Sequence, residues 1–218
     1  MKKDFRKEDN DAIQRCLNGD ETGFRELVER YQRRAIGVAL GYVKNIEDAQ
    51  DIVQDAFMRT YRNLATFDTK SHFFTWFYRI VVNACIDDYR KKKKRRSVEY
   101  DDTYIRRDVA SERALTGNTK LMEPHMGVER VELYQVLNEA LDKLSENHRT
   151  VITLREIEDL SYEEIADILD IQIGTVMSRL HHARKKLQVH LKPYLNETGE
   201  IDFADRAGDG VGTKRTST

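Results

Sequence analysis

The side chains best suited to binding an anion lie on one face of a predicted helix between Gly174 and Lys192. This segment has five Lys or Arg and no Asp or Glu, so it can approach phosphates without like-charge repulsion. At about 100° per residue, the outward face of such a helix carries Ser178, His181, His182 and Lys185. These groups can pair with phosphates and hydrogen-bond base edges, which predicts a nucleic-acid interface.

The residues that position this face form a helix-turn-helix pattern. Apolar residues recur at spacings of four, three and four on the opposite side of the helix, at Val176, Leu180, Ala183 and Leu187. Before them, Ser161 and Glu164 have the spacing of a capping box. Asp170 then suits the left-handed backbone of a tight turn, and Gly174 and Thr175 restart the helix. A solvated basic surface is the alternative for one helix alone, but the preceding helix and turn favour placement in the major groove.

A second basic segment follows a predicted helix in the first half of the chain. Residues 90–96 read RKKKKRR, and a run of bases is readily placed against a polyanion. The polar stripe leading to it consists of His72, Arg79, Asn83 and Arg90. The preceding loop, FDTKSHF at 67–73, is bounded by aromatic residues and could hold an unstacked base. Trp76 and Phe77 are alternative stacking platforms, but their helical phase places them on the core side.

Composition excludes several classes of protein. The 218 residues are 39% hydrophobic and 34% charged, with a formal net charge of -1, so affinity for nucleic acid must come from local patches. No apolar run approaches the roughly 20 residues that cross a bilayer, and we expect a cytoplasmic protein without membrane insertion. Cys16 and Cys85 lie in apolar-periodic segments and match no metal-ligand spacing. Because the chain also lacks a Gly-rich phosphate loop and an HExxH pair, we expect no metal, no cofactor and no catalysis.

Periodicity predicts an all-α protein of two small helical domains joined by a flexible linker. Residues 1–96 form the first helical block, with helices expected at about 45–64 and 71–91. Residues 97–130 lose periodicity and are punctuated by Gly and Pro, as linkers are. Residues 131–192 form the second domain, and residues 193–218 have too little apolar content to fold alone.

Three segments in this order resemble the extracytoplasmic-function sigma factors of the sigma-70 family. They are DIVQDAFMRTYRNL at 51–64, FFTWFYRIVVNACIDDYRKKKKRR at 73–96 and LSYEEIADILDIQIGTVMSRLHHARKKL at 160–187. The resemblance implies a promoter-specificity subunit that acts with core RNA polymerase through its clamp and flap regions. It also implies that the first domain binds the opened minus-ten element, that the second binds the minus-thirty-five element as a duplex, and that an anti-sigma factor is a further partner.

The resemblance assigns roles to individual side chains. The clamp-binding surface would be the exposed face of the helix at 45–64, with Asp48, Asp51, Gln54, Asp55 and Tyr61. A merely solvated acidic stripe is the alternative for these carboxylates. The minus-ten element would be bound by Asn83, Arg79 and Arg90 together with the loop residues Phe67, Lys70, Ser71, His72 and Phe73.

On the second domain, the resemblance places Met177, Ser178, His181 and His182 near base edges, with Lys185 on the same face. Arg149, Thr175 and Arg179 would contact phosphates. Met177 stands where Lys or Arg is common, so we expect contact with a thymine methyl group rather than with guanine. A helix-turn-helix regulator that acts without polymerase is the rival function; it would require a dimerisation surface, which the sequence does not indicate.

Overall fold

The computed structural model describes residues 5–102 and 136–198, and both parts consist of helices and turns without a strand. The N-terminal half (5–102) contains α1 (Arg6–Leu17), α2 (Thr22–Leu40), α3 (Ile46–Asn63), a 3₁₀ turn (Leu64–Thr66) and α4 (Phe73–Asp102). The C-terminal half (136–198) contains α5 (136–142), α6 (Glu146–Ile152), a π-helical segment (Thr153–Ile157), α7 (Tyr162–Leu169) and α8 (Ile173–Thr198). The all-α prediction is confirmed.

Helix α3 illustrates how local sequence sets these elements. Asn45 caps its N-terminus, because the side-chain Oδ1 accepts a 2.7 Å hydrogen bond from the amide of Asp48. The apolar residues at helical spacing are all buried, namely Ile52, Val53, Ala56 and Phe57. This apolar face of α3 therefore belongs to the core, and the opposite face is left to solvent.

Aromatic rings connect α2, α3 and α4 into the core of the N-terminal half. The ring of Phe77, which is fully buried, stacks at 4.5 Å from that of Phe57 and lies 5.9 Å from that of Tyr31. Trp76 is half-buried against the same cluster. The core placement predicted for Trp76 and Phe77 is thus confirmed.

Two helices continue beyond the boundaries expected from periodicity. Helix α4 runs to Asp102, past the expected end near Lys91 and into the segment assigned to the linker. The sequence offers no Gly or Pro to end the helix between Phe73 and Gly117. Helix α8 likewise continues through Pro193 to Thr198. Residues 103–135, with most of the predicted linker, and residues 199–218 of the predicted tail lie outside the described residues.

The two halves pack directly against each other. Their buried side chains form one continuous cluster, with α4 against α7 and α2 against the π-helical segment. Hydrogen bonds cross this contact, including one of 2.7 Å from the hydroxyl of Tyr42 to Oγ1 of Thr150. We call this packing of the two halves the closed arrangement. The sequence predicted both halves but not their contact.

Candidate nucleic-acid interface

The helix-turn-helix is formed by α7, a tight turn and α8. Oγ of Ser161 accepts a 3.1 Å hydrogen bond from the amide of Glu164, whose carboxylate accepts one of 2.8 Å from the amide of Ser161. Asp170 ends α7 in the left-handed region, with φ 53° and ψ 52°. The predicted apolar face of α8 is buried at Val176, Leu180, Ala183 and Leu187. The capping box, the turn and the helix phase are all confirmed.

The reading face of α8, which we define as Met177, Ser178, His181, His182 and Lys185, lies in solvent. Met177 is 51% exposed although it is apolar. Thr175 and Arg179 are half-buried at the edge of this face. The helix therefore presents a polar and basic surface that no other described part of the chain covers.

His148 on α6 is a neighbour of this face that the sequence did not indicate. Its ring centroid lies 6.2 Å from that of His182, which in turn lies 5.5 Å from that of His181. Burial lowers the pKa of His148, and the nearby charges of Lys186, His182 and Arg179 lower it further. The neutral form of His148 is thus favoured beside a basic surface.

Along α4, the residues of the predicted minus-ten stripe are exposed, but some of them form hydrogen bonds with the C-terminal half. Asn83 is open to solvent. Arg79 donates from Nε (3.0 Å) and Nη2 (2.5 Å) to the backbone oxygen of Asp167 on α7. Arg90 makes a two-bond ion pair with Glu146 on α6, at 2.8 and 2.7 Å. Of the three stripe residues that lie on α4, Arg79 and Arg90 therefore bind the C-terminal half in the closed arrangement.

The loop before α4 divides into buried and exposed residues. Phe67 and Phe73 are only 9% and 1% exposed, and their rings contact each other at 5.8 Å. These two rings belong to the core, so stacking on a base, as predicted for them, does not fit this structure. The side chains of Lys70, Ser71 and His72 are exposed.

Hydrogen bonds to the backbone hold this loop in shape. Oδ1 of Asp68 accepts a 2.9 Å hydrogen bond from the amide of Lys70, and Nη2 of Arg6 on α1 donates to the backbone oxygen of Lys70 at 2.6 Å. The loop therefore presents its polar side chains from a fixed backbone. Because the backbone is already ordered, less conformational entropy is lost when a ligand binds.

The solvent face of α3 is acidic with an apolar border. Asp51, Gln54, Asp55 and Tyr61 are exposed, as predicted. Asp48 is half-buried and forms a 2.6 Å ion pair with Lys92 of α4. Met58, 48% exposed on the same face, was missed from the sequence because an apolar residue gives no charge signal. The surface combines carboxylates with exposed apolar area, as protein-binding surfaces do.

Arg149 lies elsewhere than expected for a phosphate contact. It is 2% exposed, and Nη2 donates to Oδ1 of Asp142 at 2.9 Å. Its guanidinium carbon lies 4.7 Å from the ring centroid of Tyr89 and 5.8 Å from that of Tyr42. Nε and Nη1 find no acceptor among the described residues. In the closed arrangement Arg149 cannot reach DNA.

Within residues 5–102 and 136–198, no three His, Cys, Asp or Glu side chains are grouped so that they could hold a metal ion. In the same residues no helix has the length and apolar content needed to span a membrane.

Comparison with known families matches both halves. Residues 27–95 match the family model of sigma-70 region 2, and residues 134–187 match that of sigma-70 region 4. The chain is 35% identical to the ECF RNA polymerase sigma factor SigW of Bacillus subtilis over 184 residues, covering 83% of this chain and 95% of SigW. It is 36% identical to the ECF RNA polymerase sigma-E factor of Escherichia coli K12 over 188 residues, covering 86% and 96%.

Solved structures show the same fold. The structure of CnrH in complex with the cytosolic domain of CnrY aligns with a TM-score of 0.63 and 26% identity, over 88% of this chain and 99% of that one. The sigma factor RpoE of Bartonella quintana, bound to the anti-sigma factor NepR, aligns with a TM-score of 0.53 and 26% identity, over 78% and 96%.

Proposed function

Because the chain belongs to the extracytoplasmic-function (ECF) sigma factors of the sigma-70 family, we propose that it joins bacterial core RNA polymerase in the cytoplasm as a non-catalytic subunit and directs it to promoters. The observation that carries this proposal is the reading face of α8, which is basic, solvent-exposed and held by a fully formed helix-turn-helix. This geometry suits the major groove.

The reading face of α8 binds the minus-thirty-five element as a duplex. Ser178, His181 and His182 reach base edges, and Met177 contacts a thymine methyl group. Lys185 and Arg179 pair with phosphates, which position the helix without reading sequence. The exposure of these residues supports this role, and the half-buried position of Thr175 and Arg179 at the border supports contacts with the backbone.

The stripe of α4 and the preceding loop bind the minus-ten element after it opens. Asn83 offers an exposed amide for a base edge, and Arg79 and Arg90 supply charge for the single strand. Lys70, Ser71 and His72 form the rim that holds an extruded base, whose removal from the stack requires a few kcal/mol. Phe67 and Phe73 support this rim from beneath, through the core.

The acidic face of α3 docks on a basic surface of the polymerase clamp. Asp51, Asp55 and Gln54 supply polar contacts, and Met58 and Tyr61 supply apolar area. The C-terminal half meets the flap region. Polymerase thereby joins two weak DNA contacts at a high effective concentration, which neither half has alone.

An anti-sigma factor is a further proposed partner. The sigma factor RpoE of Bartonella quintana was solved with one, and CnrH with the cytosolic domain of CnrY. Such a partner would bind the same surfaces as polymerase. By mass action, it would lower the fraction of this protein that is free to bind polymerase.

Run-off transcription tests this function. Purified core bacterial polymerase is incubated with and without the protein on a library of promoter fragments from the source genome. We expect transcripts with fixed start sites only when both are present, and alignment of the upstream sequences gives both elements. Tight DNA binding without polymerase and without transcripts would instead establish a polymerase-independent regulator.

Matched variants then test the surfaces. Ser178→Ala and His182→Ala should change promoter selectivity, whereas Gln188→Ala, exposed on the same helix about 15 Å beyond Ser178, should not. Asp51→Lys should weaken binding to core polymerase, and Asp11→Lys makes the same charge change at an exposed position of α1. Equal effects of a variant and its control would contradict the assignment of that surface.

A further inference from the structure

Helix α1 contacts the loop before α4 through Arg6. Nη2 of this arginine, in the first turn of α1, donates to the backbone oxygen of Lys70 at 2.6 Å, across 64 positions of the chain. The amide of Lys70 donates to Oδ1 of Asp68 at 2.9 Å. Both backbone groups of Lys70 are therefore bonded, one within the loop and one by α1. Among the described residues, Arg6 is the one side chain from another helix that bonds to the backbone of this loop.

The first turn of α1 is itself fixed on α2. The ring of Phe5 lies 4.8 Å from the guanidinium carbon of Arg30. Asp9, three residues after Arg6, is only 2% exposed. Its carboxylate accepts a 2.5 Å hydrogen bond from the hydroxyl of Tyr31 and pairs with Arg30, and such partners offset the cost of burying a charge. Arg6 therefore donates to the loop from a helix turn that is held on both sides.

The loop is supported from beneath by the ring that anchors α1. The ring of Tyr31 lies 5.6 Å from that of Phe73 at the end of the loop, and the ring of Phe73 lies 5.8 Å from that of Phe67 at its start. These buried rings fix the two ends of the loop. Residues 68–72 between them are all exposed. The position of this middle part therefore depends on hydrogen bonds, and Arg6 supplies the one from α1.

The hydrogen bond from Arg6 suits a local role better than a role in overall stability. The side chain of Arg6 is exposed, and exposed charged contacts contribute little to the free energy of unfolding. A charge-assisted hydrogen bond of 2.6 Å nevertheless restricts the carbonyl group that it reaches. A loop that is ordered beforehand loses less backbone entropy when it binds a ligand. Arg6 can therefore affect binding at the loop without affecting the fold.

We infer that Arg6 is a positioning residue of the minus-ten site, and that it holds the loop, through the backbone of Lys70, in the shape that receives the extruded base. This role rests on the proposed function, which assigns the exposed residues of the loop to that base. Lys70, Ser71 and His72 contact the nucleotide, whereas Arg6 acts through the backbone. Without Arg6, the loop must be ordered during capture, and promoter opening slows.

The kinetics of promoter opening test this role. Holoenzyme with Arg6→Ala is compared with the wild type at several concentrations, and the permanganate reactivity of unpaired thymines follows opening. We expect the opening rate to fall about tenfold, the equivalent of about 1.4 kcal/mol, as the ordering of about one backbone residue requires. The holoenzyme concentration that gives half the maximal rate should stay unchanged. An unchanged opening rate would overturn the inference.

Lys7→Ala is the matched control. It removes an exposed cation from the neighbouring position of the same helix turn, and we expect it to open promoters at the wild-type rate. The circular dichroism of both variants should match that of the wild type, because both side chains are exposed. Equal slowing by Lys7→Ala and Arg6→Ala would show that the charge of α1 matters rather than the bond to Lys70, and would contradict the inference.

An abasic template separates positioning from direct contact with DNA. Single abasic nucleotides are placed in turn along each strand of the minus-ten element, and the one that most slows opening by the wild type marks the captured base. On that template the base is gone, so we expect Arg6→Ala and the wild type to open the promoter at the same rate. A variant that stays about tenfold slower there acts independently of capture, as a phosphate ligand would, and the inference is then wrong.

The wild-type arm tests the proposed function of the loop by itself. If no abasic position slows opening, the loop captures no base, and its proposed function fails together with the inference. If one position slows opening but Arg6→Ala matches the wild type on the intact template, the loop captures a base without Arg6. In that case only the inference fails.

Discussion

Replacing Arg149 with Met separates a role in folding from a role in DNA binding. Its loss removes one charge-assisted hydrogen bond to Asp142, at about 1.5–3 kcal/mol. It also removes two cation–π contacts, at about 2 kcal/mol each for a desolvated cation. It also removes two buried donors without acceptors among the described residues, whose burial costs about 1–3 kcal/mol each. Asp142 keeps an ion pair with Lys44 at 3.3 Å. We therefore expect the free energy of unfolding to fall by about 2 kcal/mol.

The effect on promoter binding should be of a different kind. If Arg149 leaves its position between Tyr42 and Tyr89 and contacts a phosphate, Arg149→Met lowers the affinity of the holoenzyme for promoter DNA and reduces the slope of log K against log salt by about 0.9. Arg149→Lys is the matched control, because a lysine retains the charge and should keep most of the slope. Urea unfolding followed by circular dichroism measures stability, and filter binding at several salt concentrations measures the slope.

Two results would refute this reasoning. An unfolding free energy lowered by more than about 4 kcal/mol in Arg149→Met would show that the buried cation is needed for folding, as a buried pair broken at one end can be. An unchanged affinity and salt slope would show that Arg149 contacts no phosphate. In that case its burial between Tyr42 and Tyr89 is its whole role.

Three further predictions concern stability and reactivity. Ser161→Ala removes the hydroxyl of the capping box and should lower the free energy of unfolding by about 1 kcal/mol; chemical denaturation with no shift in midpoint would contradict it. Because burial lowers the pKa of folded His148, the unfolded state takes up a proton first, so stability should fall as pH drops through about 6.5. His148→Gln should flatten this dependence, and parallel curves would exclude His148 as its source. Burial raises the pKa of Cys85 to about 12, so a thiol reagent should label Cys16 of the native protein first. The rates of labelling of Cys16→Ser and Cys85→Ser variants measure this, and rapid labelling of Cys85 would disprove it.

The helix-turn-helix could be predicted because each of its signals is local. The capping box spans four residues, the left-handed turn needs only Asp170, and the phase of α8 follows from its own apolar spacing. The core face of α3 was predictable for the same reason. Such features depend on side chains within one or two turns of each other, which the sequence displays directly.

The closed arrangement could not be predicted because it joins residues far apart in the chain. From the sequence, Arg149 is predicted to be an exposed cation. Its burial depends on Tyr42 and Tyr89, which are distant in the chain and contact it only in the folded protein. Gly37 on α2 and Gly41, the residue that follows α2, mark a close approach only once Glu158 and Thr153 are placed beside them. The loop aromatics were misplaced for a related reason: Phe73 begins α4 in the phase of the buried Phe77, and this continuity outweighs its position beside a polar loop.

The chain contains one tryptophan, and its position has an optical consequence. The indole ring of Trp76 lies 5.2 Å from the ring of Phe67 and 5.9 Å from that of Phe73, directly beneath the loop that ends at His72. All indole fluorescence of the unlabelled protein therefore originates at this loop. A displacement of the loop by a captured nucleotide would alter the emission of the native chain, so that strand capture can be timed by stopped flow without attaching a dye.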